Sequence, residues 1–263
     1  MHPYISILDV KINVFSLILI GAVFSCIVLF VKSDKYNLFY FDMIKKSVFY
    51  IGICAGIFGK LIYIATRINE QNISILERLS GFVYYGGFIG AVIGMWVFCQ
   101  FYKQRFLDYF DTFTSILPLG QAIGRIGCYF NGCCYGKPYD GLLAVTYFVD
   151  GKETKVFPTW FMESVFCLIV FLVFFMISKE VFSGFYASIY MITYSLFRFC
   201  IEYYRGDEIR GIWLGISTSQ FLSITVFCFG IILLSISVKA KEKNKIILGR
   251  NKKYATEHFS SRL

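Results

Sequence analysis

Charged side chains are scarce in this chain: 16% of its 263 residues are Asp, Glu, Lys or Arg, against about 25% in an average soluble domain. That shortage argues against a soluble globular protein. Proline is rare at 4 residues, and 30 Phe with 19 Tyr are too many for a chain that stays unfolded, so a Pro-rich linker, collagen and intrinsic disorder are excluded. Histidine occurs only at His2 and His258, and no two of the 9 cysteines stand in a CxxC spacing. Zinc-finger chemistry is excluded on that ground, and neither a metal nor a cofactor is expected. A cleavable signal peptide is not expected either. Residues 1–13 hold one basic residue, Lys11, and the apolar run that follows is long enough to span a bilayer.

What the chain does have is apolar sequence in blocks. Hydrophobic residues make up 57% of it, and about 20 consecutive apolar residues cross a hydrocarbon core of roughly 30 Å as a helix. Seven blocks are read, at 14–31, 48–66, 82–102, 109–131, 159–178, 185–204 and 212–238. They predict an all-α, polytopic membrane protein with a seven-helix transmembrane domain over 1–238 and a basic tail over 239–263. The fourth block is the least regular, because Asp111, Gln121 and Arg125 make it amphipathic and Pro118 is placed to break it. Between the fourth and fifth blocks, YDGLLAVTYFVDGKETKVF alternates apolar and polar residues around an Asp-Gly pair at 150–151, the pattern of a small hairpin on the outer side.

Lys and Arg gather in cytoplasmic loops. Lys32, Lys35, Lys45, Lys46, Lys103, Arg105, Lys179 and the tail residues Lys239, Lys241, Lys243, Lys245, Arg250, Lys252, Lys253 and Arg262 fall on one side. They are almost twice as many as Lys11, Arg67, Arg78, Lys137, Lys152, Lys155, Arg205 and Arg210 on the other. The asymmetry predicts an N-terminus outside and a C-terminus in the cytoplasm. Much of the net charge of +9 lies in the tail, where it suits anionic lipid. Nucleic acid is not an expected partner.

Charges inside the apolar blocks carry more information, since a charge at the bilayer centre costs at least about 2.5–3.5 kcal/mol and marks a protein interior or a functional cavity. In TYSLFRFCIEYYR, Tyr194, Arg198, Glu202 and Arg205 recur at helical spacing and share a face. One reading is a self-neutralising Arg–Glu pair inside a bundle. The other is an anion site, because guanidinium forks match phosphate and stay charged at any working pH. A second stretch, LPLGQAIGRIGCYFNGCCYGKP over 117–138, sets Arg125 among Gly120, Gly124 and Gly127 before Asn131, Gly132, Gly136 and Lys137. Its glycines suit either close helix packing or an anion-binding concavity. In the third block, Gly86, Gly90 and Gly94 have the four-residue spacing of packed membrane helices.

Six cysteines, Cys26, Cys54, Cys99, Cys167, Cys200 and Cys228, stand singly in apolar runs and read as small buried hydrophobes. Cys128, Cys133 and Cys134 form a trio. Soft ligands can hold a metal, yet the remote histidines weigh against one. Packing or a redox role are the other readings.

Taken together and in order, FVYYGGFIG (82–90), GRIGCYFNGCCYGKP (124–138), FPTWFMES (157–164), YSLFRFCIEYYR (194–205) and GISTSQFLSI (215–224) resemble the prolipoprotein diacylglyceryl transferase family. The resemblance covers nearly the whole chain. It implies an enzyme of the bacterial cytoplasmic membrane that moves the diacylglyceryl group of phosphatidylglycerol onto the lipobox cysteine of a prolipoprotein, releasing glycerol 1-phosphate. The lipid bilayer, phosphatidylglycerol and the lipobox are the implied partners. By position, Arg125, Asn131 and Gly136 match the family signature, and Tyr194, Arg198, Glu202 and Arg205 match its sixth-segment motif. Gly86 and Gly87 match its paired glycines. Pro158, Thr159 and Glu163 fall on its fifth-segment pattern, and Ser217, Gln220 and Ser223 on its last.

The departures are Tyr85 and Phe157 where the family has histidine, Cys128 where it has asparagine, Cys133 where it has glutamate, and Phe15 in place of a first-segment tyrosine. Thiol alkylation by a phosphate ester needs charge stabilisation on the departing phosphate and deprotonation of a thiol whose unperturbed pKa is about 8.5. Arg125 and Arg198, with Glu202 orienting Arg198, answer the first need. Tyr85, with a reference pKa of about 10, is a poorer base than histidine and is assigned a hydrogen bond near the reacting centre. The resemblance leaves open a paralogue acting on another acceptor, or a non-catalytic phospholipid-binding protein.

Overall fold

The computed structural model describes residues 4–7, 10–32, 38–66, 84–149, 152–177, 181–206, 212–213 and 216–260. Among them are seven α-helices: α1 Val14–Lys32, α2 Leu38–Thr66, α3 Tyr84–Phe101, α4 Phe106–Phe130, α5 Thr159–Met176, α6 Phe185–Ile201 and α7 Thr218–Ser260. Three short antiparallel hairpins punctuate them: β1 Tyr4–Ile7 with β2 Val10–Asn13, β3 Val145–Val149 with β4 Lys152–Val156, and β5 Ile212–Trp213 with β6 Ile216–Ser217. The hairpin read from residues 139–157 is therefore present, with Val149 opposite Lys152, and its Asp-Gly pair lies outside the described residues.

Among the described residues, three helices are long and apolar enough to cross a membrane, through Asp42–Thr66, Thr159–Met176 and Thr218–Lys243; Val14–Leu29 and Gly86–Phe101 add shorter apolar runs. The surface agrees with lipid as the solvent. Ile20, Phe24, Phe49, Phe101, Met176 and Phe229 are exposed, whereas Ser47, Glu163, Arg198, Gln220 and Ser223 are buried. This inverts the arrangement of a soluble protein and gives the intramembrane polar groups a protein interior.

The helices depart from the blocks read in the sequence at several points; α2, for one, starts at Leu38, ten residues ahead of the block at 48–66. α4 runs unbroken past Pro118; the ring removes one amide donor, a loss that membrane helices tolerate. α7 continues to Ser260 with no break at residue 238.

The chain forms two compact units, one of residues 1–29 with 111–263 and the other of residues 30–110. In the second, α3 lies against α2 through its glycine stripe. A Cβ on Gly86 would sit 2.8 Å from the Phe58 carbonyl oxygen and one on Gly94 2.6 Å from that of Tyr50, while one on Gly90 would overlap the Cys54 carbonyl. Any side chain there would push the helices apart, so the stripe is a packing surface.

In the first unit, Gly120, Gly124 and Gly127 turn one face of α4 towards Cys26, Leu19 and Phe15 of α1, with the Phe15 ring 2.8 Å from a Cβ on Gly127. Those glycines serve helix packing rather than a ligand. α5 meets α6 through a Phe166–Phe197 stack with centroids 4.1 Å apart, and Gly230 lets α7 close onto Met191 and Ile192.

The start of α6 is held from α4. Its N-cap is Gly184, left-handed at φ 88 and without a capping side chain. The Asp111 carboxylate takes that role, accepting the backbone N–H groups of Gly184 at 2.5 Å, Phe185 at 3.1 Å and Ala187 at 2.9 Å. An anion at a helix N-terminus satisfies orphan amides and the macrodipole together. Asp111→Ala strands buried donors and is expected to cost about 2–3 kcal/mol. A fall in Tm of roughly 5–10 °C in detergent, read by tryptophan fluorescence, checks this.

Candidate functional site

Arg125 leaves α4 on a face away from α1, and its Nη2 meets Glu163 Oε1 of α5 at 2.5 Å. Glu163 is 1% exposed, and the Tyr194 hydroxyl of α6 donates to the same oxygen at 2.6 Å. One turn along α6, Arg198 Nη1 faces Glu202 Oε2 at 2.8 Å and its Nη2 donates to Ser219 Oγ of α7 at 3.2 Å. Glu202 opens a 3-10 turn, Glu202–Tyr204. Its other oxygen accepts from Ser217 Oγ at 2.9 Å, and Arg205 Nε lies 3.9 Å from Oε2.

The helical spacing of Tyr194, Arg198 and Glu202 therefore does bring them to one face. Three guanidinium groups and two carboxylates meet there, and the assembly keeps an excess of positive charge. Arg198 Nη1 and Glu202 Oε2 are buried and form an ion pair without an aligned hydrogen bond. Of the two, the Arg198 nitrogen is the donor that a phosphate oxygen could use.

α7 is locked into this cluster by its first turn. Ser217 Oγ accepts from the Gln220 backbone N–H, while Gln220 Oε1 accepts from the Ser217 N–H, each at 3.1 Å. This is a reciprocal capping box. It fixes Ser217 beneath Glu202 and Ser219 beside Arg198.

The loop after α4 closes the other side. Gly132 turns at φ 68, and the chain then passes between two others. Gly136 N–H donates to the Phe157 carbonyl at 2.8 Å, Lys137 N–H to that of Tyr204 at 2.8 Å, and Gly206 N–H to that of Tyr135 at 3.2 Å. A Cβ on Gly136 would lie 2.5 Å from the Phe157 oxygen and 2.7 Å from that of Tyr204, so only glycine lets three backbones cross. Phe157 stacks on Tyr204 at 5.1 Å. Thr159 Oγ1 donates to the Cys134 carbonyl at 2.5 Å and ties the loop to α5.

That loop delivers the cysteine trio to Arg125. The sulfur atoms of Cys128, Cys133 and Cys134 all lie within 4.8 Å of one another, and Arg125 Nη1 donates to Cys134 Sγ at 3.7 Å. The Cys134 thiol is pulled well below its ordinary value, chiefly by its hydrogen bonding with the neighbouring Cys128 and Cys133 side chains, with the charges of Arg205 and Arg125 adding to it. Asn131 Nδ2 donates to Cys133 Sγ at 3.8 Å.

Arg125, Asn131, Gly136, Tyr194, Arg198, Glu202 and Arg205 all belong to this one unit. Tyr85, Gly86 and Gly87 belong to the other, at the start of α3. Gly86 and Gly87 are buried, and the Tyr85 side chain lies outside the described residues.

Glu163 holds the position of greatest consequence that the sequence reading left off its site. It is the only charged residue in TWFMESVFCLIVFLVFFM, and an intramembrane charge needs a partner. Counting charges inside blocks would have paired it with Arg125.

Fold and cluster together define a class: an apolar, helix-rich membrane protein that holds a cluster of three arginines and two glutamates between its helices. The chain belongs to the family described as Prolipoprotein diacylglyceryl transferase, whose pattern matches residues 3–236. It is 36% identical over 194 residues to the phosphatidylglycerol–prolipoprotein diacylglyceryl transferase of Clostridium tetani, covering 71% of this chain and 78% of that one. With the protein of the same name in Finegoldia magna it shares 37% identity, covering 65% of each chain. With phosphatidylglycerol–prolipoprotein diacylglyceryl transferase 2 of Clostridium perfringens it shares 33%, covering 70% of this chain and 75% of that one.

Proposed function

We propose that the chain transfers the diacylglyceryl group of phosphatidylglycerol to the cysteine thiol of a prolipoprotein lipobox. The observation that carries this is the buried cluster of Arg125, Arg198 and Arg205 against Glu163 and Glu202, with bonding capacity left on Arg198 Nη1. An excess positive charge in a low-dielectric interior attracts one phosphodiester and stabilises the charge that grows on it as the ester bond breaks. Arg125 and Arg198 hold the phosphate, Glu202 orients Arg198, and Tyr194, Arg205, Asn131 and Gly136 shape the surroundings.

Seven membrane crossings, an outer N-terminus, a cytoplasmic C-terminal tail and an outer β3–β4 hairpin complete the reading. The Lys and Arg asymmetry supports this topology, and the bacterial cytoplasmic membrane is the proposed location. The non-catalytic alternative is not favoured, since the named relatives carry the transferase name and the anion-handling residues are present.

The test is purified protein with phosphatidylglycerol in mixed micelles and a synthetic lipobox peptide. A peptide mass gain of one diacylglyceryl group is expected, absent when the peptide cysteine is serine. No gain at any enzyme concentration overturns the reading.

A further inference from the structure

Three thiols converge at the end of α4: Cys128 lies on its last turn, and Cys133 and Cys134 on the loop that folds back over it. The chain reversal does this. Cys133 N–H donates to the Cys128 carbonyl at 3.1 Å, which closes the five-residue gap in sequence and sets all three sulfurs within 4.8 Å of one another. The absence of a CxxC spacing, which weighed against a metal in the sequence, is thereby answered by the helix end. Cys134 takes a left-handed φ of 59, a conformation rarely adopted by a residue other than glycine and found at sites the surrounding structure over-determines. Beside the trio, the Tyr147 hydroxyl is buried with no hydrogen-bond partner among the described residues, within electrostatic reach of all three sulfurs.

We propose that Cys128, Cys133 and Cys134 bind one Zn(II) through three sulfurs, leaving a fourth position open for the acceptor thiol. Zn–S bonds of about 2.3 Å in a tetrahedral site set sulfurs roughly 4 Å apart, and the three sulfurs of the trio all lie within 4.8 Å of one another. Three protein ligands and an open position are the arrangement of a catalytic rather than a structural zinc. A thiol entering that position is deprotonated by coordination.

The inference rests on the proposed transferase reading for its substrate, and the step balances without an oxidant or a reductant. The acceptor S–H proton passes to solvent water as the sulfur binds zinc. The thiolate then attacks the glyceryl carbon that bears the phosphate, an S–C bond forms, and the C–O bond breaks with its electron pair going to the phosphate oxygen. Arg125 spans the two halves, 3.7 Å from Cys134 Sγ on one side and within the cationic cluster on the other. It sets the nucleophile beside the leaving group. The thioether product is a weaker zinc ligand than a thiolate and departs.

The experiment uses the full chain, purified with its thiols reduced and titrated with Co(II) as a spectroscopic stand-in for Zn(II). One Co(II) per chain, with intense sulfur-to-metal charge-transfer absorption and tetrahedral visible bands, is expected. Adding lipobox peptide is expected to intensify the charge-transfer band, and a peptide with serine for cysteine to leave it unchanged. Cys134→Ser is expected to weaken Zn(II) binding by more than about a hundredfold, the upper end of what losing a mere outer-shell partner costs. If reduced wild-type protein gives no charge-transfer band, or the band ignores the thiol peptide, the proposal is overturned. Full transfer activity in chelator-stripped protein also overturns it while leaving the transferase reading intact. A thiol-responsive band in a protein that never alkylates the peptide supports the site and sinks the transferase reading instead.

Discussion

Arg198→Ala is expected to lower kcat for transfer by about 10²- to 10³-fold, the usual loss when one preorganised donor to a developing oxyanion is removed. The geometry explains why this residue should matter so much. Its guanidinium is held between Glu202 Oε2 at 2.8 Å and Ser219 Oγ at 3.2 Å, while Glu202 is fixed in turn by Ser217 and Arg205. The group therefore meets a phosphate without reorganising. Arg198→Lys keeps the charge but loses the planar fork, so only part of the rate should return. The comparison separates charge from geometry: an alanine variant with unchanged kcat removes Arg198 from the site, and a lysine variant with full activity removes the fork from the argument.

Much of this centre was legible in the sequence because helical spacing is rigid. Tyr194, Arg198 and Glu202 sit four residues apart, and a helix of 3.6 residues per turn has to put them on one face. The glycines at 86, 90 and 94 were legible for the same reason. Gly120, Gly124 and Gly127 were ambiguous because spacing alone cannot say whether a neighbouring helix or a ligand fills the space a side chain would take. α1 fills it, through Phe15, Leu19 and Cys26.

What sequence periodicity does not reach is contact across a turn. The partner of Arg125 lies 38 positions on, at Glu163, and the groups that accept at the start of α6 come from Asp111, more than seventy positions earlier. Asp111 read as a mark of amphipathicity, but it is a capping group supplied by another helix. The meeting of Cys128 with Cys133 and Cys134 depends on the reversal at Gly132, whose φ of 68 no spacing rule reports. In each case the information is tertiary: a buried charge or an orphan amide demands a partner, and only the fold names it.

Glu163→Ala is expected to destabilise the protein more than any other single change considered. The carboxylate is 1% exposed and serves Arg125 at 2.5 Å and the Tyr194 hydroxyl at 2.6 Å through one oxygen. Removing it leaves the Arg125 guanidinium buried beside the Cys134 sulfur with no carboxylate, a loss of about 3–5 kcal/mol by the measure of other broken buried pairs. Glu163→Gln keeps an acceptor for Tyr194 and should fall between the two. The double replacement Arg125→Met with Glu163→Leu removes both charges together, and stability should return towards wild type while transfer stays lost. Thermal denaturation in detergent with parallel activity assays reads both quantities. A double variant no more stable than Glu163→Ala would mean that Glu163 acts through packing, and a Glu163→Ala protein with wild-type Tm would show that Arg125 finds its counter-charge elsewhere.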